Sequence, residues 1–259
     1  MSKYQTIILK FGGSVITKKM SAKPQVKKAV VRQMAKELKL FTQRFPKIKI
    51  ILLHGAGSFG HPLVYKYKLL EKPLAGPRLL GFSKTVCSMR HMGNLLTDIF
   101  RSVKLPVLPI QTTAIDSSNI RQLKQILNAG FIPMFSGDMG LTKKNQSVVV
   151  SADRLAVLLS EKFHTSKIIF ATDIDGVFEK FPPKNNSQPL SLLSRKNLKN
   201  MLKKMKSQKN RYDVTGNMAG KLRTLLELKG EKITIFNGSK PGNLTKALMQ
   251  KPIGTRIIL

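Results

Sequence analysis

The sequence predicts an α/β protein built on a largely parallel sheet. Strand-like apolar runs alternate with helix-period segments along the chain, and two of those runs pass straight into glycine-rich turns. The 259 residues, 42% of them hydrophobic, give ample length for a core. The most informative stretch is IKIILLHGAGSFGHP at 48–62. Ile48, Ile50, Ile51, Leu52 and Leu53 suit a strand buried on both faces, which needs helices to cover it. Gly55, Gly57 and Gly60 then give a backbone that can approach a ligand closely and aim amide N–H groups at anionic oxygen. The turn reads as a phosphate cradle, although an ordinary strand-to-helix turn can carry the same glycines and only context separates the two. His54 and His61 bracket it. An imidazole held there could donate a hydrogen bond to the anion or carry charge near neutral pH.

In chain order, residues 5–10 (QTIILK) predict the first strand, followed by a second glycine turn at Phe11, Gly12, Gly13 and Ser14. Gly12 and Gly13 would offer amides to a phosphate, and Lys10 at the strand's end could neutralise it. Pro24 suits the first position of a helix, with Val26, Val30, Met34, Leu38 and Phe41 at helical spacing. After the 48–53 strand, residues 63–81 hold Pro73, Gly76, Pro77 and Gly81 and predict a loop or lid over the site. Phe82, Val86, Met89, Gly93, Leu96, Phe100 and Val103 lie on one face of a long helix, as core packing requires. Val107–Gln111 predicts a strand, Ile120–Ala129 a helix stopped by Gly130, and Ile132–Phe135 a strand opening onto Ser136, Gly137 and Asp138. Ser147–Val150 suits a hairpin strand.

Ser151, Ala152 and Asp153 read as the cap of a helix running to about Glu161; capping is the plain structural role for Asp153. Lys167–Thr172 predicts a buried strand ending in Asp173, Asp175 and Gly176, where α/β proteins place ligand contacts. Residues 181–189 are turn-rich. Arg195–Arg211 is dense in lysine with an apolar stripe of Leu198, Met201, Leu202 and Met205, which predicts a solvated helix face over a basic helix for RNA or membrane. DVTGNMAGK at 213–221 opens a last main helix, ended by Gly230, and Lys232–Phe236 and Thr255–Leu259 supply closing strands.

Composition narrows the classes. The 46 Lys and Arg against 13 Asp and Glu give a net charge of +33, a field that attracts nucleic acid, anionic membranes and phosphorylated metabolites alike. There is no run of 18 apolar residues, and the opening residues lack the apolar region and cleavage site of a signal peptide, so a cytoplasmic protein without a membrane span is expected. Cys87 is the one cysteine. It excludes an internal disulfide and any multi-cysteine zinc site, and its apolar surroundings predict a core position.

The glycine turn after the first strand, HGAGSFGHP, ATDIDGVF and DVTGNMAGK occur here in one order, and that set resembles the amino acid kinase superfamily and, within it, the isopentenyl phosphate kinases. LKFGGSVITKK is similar to the first phosphate loop, GDM at 137–139 to the usual Gly-Asp step, and NG at 237–238 to the late nucleotide-side turn. The second histidine, His61, is the most specific feature. The resemblance implies a three-layer α/β/α sandwich forming one domain over 1–259, its N-terminal part (about 1–165) holding the phosphate acceptor and its C-terminal part (about 166–259) holding ATP. It implies that Lys10, Lys19 and Lys221 stabilise the transferring phosphoryl group and that Asp153 orients Lys10 and Lys221. Gly12, Gly13, Ala56, Gly57 and Gly60 would then line the phosphates, and His61 would hold the acceptor's phosphate. Thr172, Asp173, Asp175, Gly176, Phe178 and Gly216 would line the nucleotide. Mg²⁺ carried with ATP, no separate protein metal site, a homodimer and a place in isoprenoid biosynthesis by the alternate mevalonate pathway also follow. Lys18, Arg154 and Asn217 depart from residues usual at those positions.

The chemistry gives the histidine a role as a clamp. A phosphate monoester with a second pKa of about 6 is largely a dianion at neutral pH and needs no strong base. Its difficulty is repulsion from the γ-phosphate, which positive groups and fixed donors relieve. Isopentenyl phosphate is the leading acceptor, with the tail limited by how Phe82, Val86, Met89 and Ile115 pack. A nucleoside monophosphate or fosfomycin is the second enzymatic reading. A basic RNA-binding protein on a kinase-like scaffold is the non-enzymatic one, weakened by the lack of aromatics interleaved in 195–211.

Overall fold

The structure is a computed structural model that describes residues 5–18, 23–112, 120–165, 167–180, 183, 187–204, 217–228, 230 and 232–259. Its centre is an eight-stranded sheet of β1 (Thr6–Phe11), β2 (Lys49–His54), β3 (Val107–Ile110), β4 (Ile132–Ser136), β7 (Lys167–Thr172), β8 (Leu192–Ser194), β9 (Lys232–Asn237) and β10 (Thr255–Ile258). The order is β3-β4-β2-β1-β7-β9-β10-β8, parallel at every pairing except β9 with β10. A separate hairpin joins β5 (Asp138–Leu141) to β6 (Ser147–Val150).

Strand alternation sends side chains to two cores. On one face Ile7, Leu9 and Phe11 of β1 and Ile50 and Leu52 of β2 pack under α2 (Lys28–Arg44), α4 (Pro77–Ser102) and α9 (Asn243–Leu248). On the other, Ile8, Ile51, Leu53, Ile168 and Phe170 pack under α5 (Ile120–Asn128), α6 (Ala152–Phe163), α7 (Arg195–Lys204) and α8 (Asn217–Leu225). The result is the α/β/α sandwich that the alternating pattern and the resemblance predict. Two short helices, α1 (Gly13–Ile16) and α3 (Gly57–Lys66), start directly from the glycine turns after β1 and β2.

Several sequence expectations are corrected. Pro24 does not open a helix: Val26 bridges to Thr17 and the Lys18 amide donates to the Gln25 carbonyl, so tertiary pairing keeps this backbone extended until Lys28. Residues 63–81 are not one loop. The α3 helix runs through Pro62 to Lys66, because Val64 is buried with Leu69 and Met139, and α4 begins at Pro77 in its first position. The helix expected over 120–129 ends at Asn128, and the one opened by 213–221 ends at Leu225 and not at Gly230. Cys87 is exposed, since Thr85, Met89 and Met92 take the inward face of α4. The strands β5 and β8 and the six-residue α9 were not anticipated.

The α9 helix is too short to hold itself, and Glu37 of α2 explains its place. The Glu37 carboxylate is buried and accepts from the Gly242 amide at 3.0 Å, the Thr245 amide at 2.8 Å and the Thr245 hydroxyl at 2.9 Å, satisfying the free N–H groups at the start of α9. Glu37→Ala leaves those donors unpaired and is expected to cost about 2 kcal/mol, with Glu37→Gln costing less because its amide oxygen still accepts. Urea midpoints of the three proteins check this, and an unchanged midpoint in Glu37→Ala would refute the capping role.

Candidate active site

The site forms at the carboxyl ends of β1 and β7, where connections leave in opposite directions: from β1 the chain crosses to β2 on one side, from β7 to β8 at the far edge on the other. Lys10 lies on the same side of β1 as Ile8 and so points beneath α6 and α8. There one oxygen of Asp153, Oδ1, accepts from Lys10 Nζ at 2.9 Å and from Lys221 Nζ at 2.7 Å. The three residues are 6%, 8% and 8% exposed, and both ammonium groups stand over the Phe170 ring, at 6.0 Å and 4.9 Å from its centroid. Asp153 is available for this because Ser151 caps α6 instead, its hydroxyl accepting from the Arg154 amide at 3.1 Å.

Electrostatics follow from this packing. Burial by itself would raise the Asp153 carboxyl, but the two ammonium groups outweigh it and hold the pKa well below the usual carboxylate range. Lys221 is pushed down to about 8 by burial; Asp153 opposes that shift and the nearby charge of Lys10 adds to it. Its charge is therefore the least secure of the group.

The two glycine turns meet beside this triad. A Cβ on Gly13 would lie 2.3 Å from the Gly57 nitrogen, and one on Gly57, whose φ is +50°, would lie 2.3 Å from Thr17 Oγ1. Only glycine permits that approach. Thr17 stitches the junction, donating its hydroxyl to the Gly13 carbonyl at 2.7 Å and accepting from the Ser58 amide at 3.1 Å. Ser58 Oγ is buried in the same turn and, among the described residues, has no hydrogen-bond partner, which fits a hydroxyl awaiting an oxygen from a bound phosphate. Gly12 continues the β1–β7 pairing by donating to the Ala171 carbonyl at 2.8 Å, and Ser14 Oγ donates to Asp173 at 2.7 Å.

Beyond β7, Asp175 accepts from Asn237 at 3.0 Å and pairs with Lys240 at 2.7 Å, bonds that lower its pKa, with Lys240 the larger cause. Thr172 donates to the carbonyls of Ile174 and Phe236, Gly176 packs against Thr255, and Phe178 is buried. Ala56 precedes α3, and Gly60 and the half-buried His61 lie on it. The structure thus gathers Lys10, Lys221, Asp153 and the glycines of both turns, with Thr172 and Asp173 at the adjoining strand end. Lys19, Gly216 and Ile115 lie outside the described residues.

His54 has neither role offered to it by its place in the turn. It is buried against α4, and burial pushes its imidazole down to about 4, against the Gly55 carbonyl contact and with Lys10 adding to the lowering, so it is neutral. Arg154 is turned to the surface, where it pairs with Glu227. Sequence reasoning missed Thr17, Ser58 and Phe170; the strand-end position of Phe170, in register with Lys10, was the available signal.

Paired lysines around a fixed carboxylate, set against glycine turns at a sheet switch point, define a phosphoryl-transfer protein. The chain belongs to the amino acid kinase family, whose model matches residues 5–237. It is 30% identical to the isopentenyl phosphate kinase of Methanocaldococcus jannaschii over 96% of this chain and 97% of the other, and 31% identical to that of Methanothermobacter thermautotrophicus over 97% and 98%. A solved structure of isopentenyl phosphate kinase matches with a TM-score of 0.81 at 28% identity, over 98% of this chain and 100% of the other. The protein is a phosphotransferase of the ATP-using kinase type acting on a small molecule, and among the described residues no helix is long and apolar enough to cross a membrane.

The lowered Lys221 pKa has a sign that can be checked. As pH rises through about 8 the free protein loses the Lys221 proton, so kcat/KM for ATP is expected to fall there. Bound nucleotide anion raises that pKa, and the fall in kcat is expected at higher pH. A kcat/KM profile flat up to the ordinary lysine value of about 10.4 would show that Lys221 is not needed as a cation.

Proposed function

We propose that this protein is an ATP-dependent kinase that converts isopentenyl phosphate to isopentenyl diphosphate, in isoprenoid biosynthesis by the alternate mevalonate pathway. The observation that carries the reading is the junction of the two glycine turns beside the lysine pair, a cradle for two phosphates that must approach each other. Curated isopentenyl phosphate kinases of similar length and sequence support the choice of acceptor.

An oxygen of the acceptor phosphate forms a bond to the γ-phosphorus as the bond to the bridging oxygen of ADP breaks. Lys10 and Lys221 neutralise the charge that accumulates on the group in flight, with Lys19 a third cation. Asp153 fixes the two buried ammonium groups in place so that no reorganisation is needed. Amides of Gly12, Gly13 and Gly57 donate to phosphate oxygens, Ala56 and Gly60 border the acceptor, and His61, on the first turns of α3, clamps its phosphate. The nucleotide lies along Thr172, Asp173, Asp175, Gly176 and Phe178, and Gly216 precedes the helix that carries Lys221. Mg²⁺ enters with ATP; among the described residues no three His, Cys, Asp or Glu side chains gather to hold an ion. We read 1–259 as one domain, acceptor side before about 165 and nucleotide side after, acting as a cytoplasmic homodimer. The apolar tail of the acceptor has a wall in Phe82 and Val86, which pack with Val64, Leu69 and Met139 beside α3, and Met89 lies under Gly60.

ADP release over a panel of isopentenyl phosphate, dimethylallyl phosphate, UMP and fosfomycin tests the acceptor. Isopentenyl phosphate is expected to give the highest kcat/KM; a preference for UMP or fosfomycin would overturn the proposal. Lys10→Ala is expected to lower kcat by about 10²-fold or more with little change in the acceptor's KM. A pure KM effect would limit Lys10 to ground-state binding.

His61→Ala is expected to nearly abolish transfer while ATP binding persists, with His61→Gln or His61→Asn recovering part of the loss because an amide can still donate to phosphate. If both amides were as inactive as alanine, His61 would be a general base instead.

A further inference from the structure

The opposite edge of the sheet carries a second basic cluster that phosphoryl transfer does not use. A cavity of about 150 Å³ opens there, lined among others by Lys167, Lys232, Lys251, Arg256, Gln250 and Thr234. Among the described residues, none that lines it is Asp or Glu. It lies at the start of β7, whereas Thr172 and the candidate active site lie at the end of that six-residue strand, about 17 Å away at the usual rise per residue.

Register explains why the cations converge. Lys167 of β7 is opposite Lys232 of β9, and Arg256 of β10 is opposite Thr234 two residues further on. Alternation places these residues on the face of the sheet to which Ile169 and Phe236 also belong, the face that α9 covers. The α9 helix ends at Leu248, and the chain turns at Gln250 with φ +58° before Lys251. Ala247 of α9, Gln250 and Lys251 line the cavity together with the strand residues.

Lys167 is the built element. It is 6% exposed, and its ammonium donates to the carbonyls of Ala247 and Leu248 at the last turn of α9. An ammonium has three hydrogens, so one remains beyond these two bonds. Burial, and then the charge of Arg256, push Lys167 down to about 8, a cost that a bound anion would relieve. Lys232, Lys251 and Arg256 line the cavity and are exposed.

We infer that this cavity is a second anion site, distinct from the active site, that takes a small phosphate or diphosphate group on Lys167, Lys232 and Arg256. A water needs only about 10–15 Å³ of such space, so the cavity has room for a small anion together with water. Occupancy stabilises the folded chain by mass action, because the site needs β7, β9, β10 and α9 together.

The test uses inorganic diphosphate and the full chain. Lysine Nζ resonances are followed by NMR, with Lys167 assigned through Lys167→Met, and binding is measured calorimetrically at about 0.15 M salt, where long-range attraction is screened. Diphosphate is expected to shift the Lys167 resonance and raise its pKa, and Lys232→Ala with Arg256→Ala, both surface changes, is expected to weaken that response about 10-fold or more while the Lys221 response to ATP persists. A Lys167 resonance that ignores diphosphate, a response that survives the double variant, or one that vanishes at that salt would each overturn the inference. So would tighter competition by a single-stranded RNA, which would make the cluster a polyanion surface.

Discussion

One carboxylate oxygen holds the site together. Asp153 Oδ1 accepts from Lys10 on β1 and Lys221 on α8 while itself standing on the first turn of α6, so three elements distant in sequence meet at one buried negative charge. Burying two ammonium groups without it would leave them unpaired, and removing one partner from such a cluster typically costs about 3–5 kcal/mol. The arrangement is asymmetric by necessity. Two cations share one anion, which leaves net positive charge in the cluster, and Lys221, lowered first by burial, is lowered further by the charge of Lys10. On the proposed function, the substrates' phosphates supply the third, negative partner.

The second constraint is steric. The turns after β1 and β2 touch through Gly13 and Gly57 at distances no side chain could tolerate. Their closeness sets the spacing of two rows of backbone amides, and Thr17 locks it by bonding to both turns. A phosphate-transfer site needs donors that are already in place, because fixed dipoles act without reorganisation as charge develops. The parallel pairing of β1 with both β2 and β7 delivers those turns and the Thr172–Asp173 end to one crevice.

The excess of positive charge leaves few acids, and many of those have defined partners. Asp153 binds the two buried lysines, Glu37 caps α9, Asp175 holds Asn237 and Lys240, and Asp173 accepts from Ser14. The lysine-rich α7 buries Leu198, Met201 and Leu202 and leaves Lys196, Lys199, Lys203 and Lys204 in solvent, as a solvated helix face does. No residue of that outward face enters the lysine–aspartate cluster. Charge so distributed raises the attraction for every polyanion without reading any of them.

By itself the sequence determined the α/β class with its largely parallel sheet, the strands that carry long β-branched runs, and the two glycine turns, because period and composition are local properties; the three-layer sandwich followed from the resemblance. Through motifs it also marked Lys10, Asp153 and Lys221, which the structure brings together. What it left open was decided by packing. Asp153 could have been a cap, and it became the centre of the site only because Ser151 took the cap and Lys221 arrived from 68 residues away. His54 looked as available as His61 and is neutral in the core. Cys87 lay in an apolar pattern and faces solvent, since a helix of 26 residues meets its neighbours along one stripe only. The short α9 and β8 have too few residues for any period to show, and they exist through contacts made across the fold: a carboxylate from α2 for one, pairing with β10 for the other. The cluster around Lys167 is of the same kind, four cations scattered over 90 positions: strand register brings Lys167, Lys232 and Arg256 together and the turn after α9 adds Lys251.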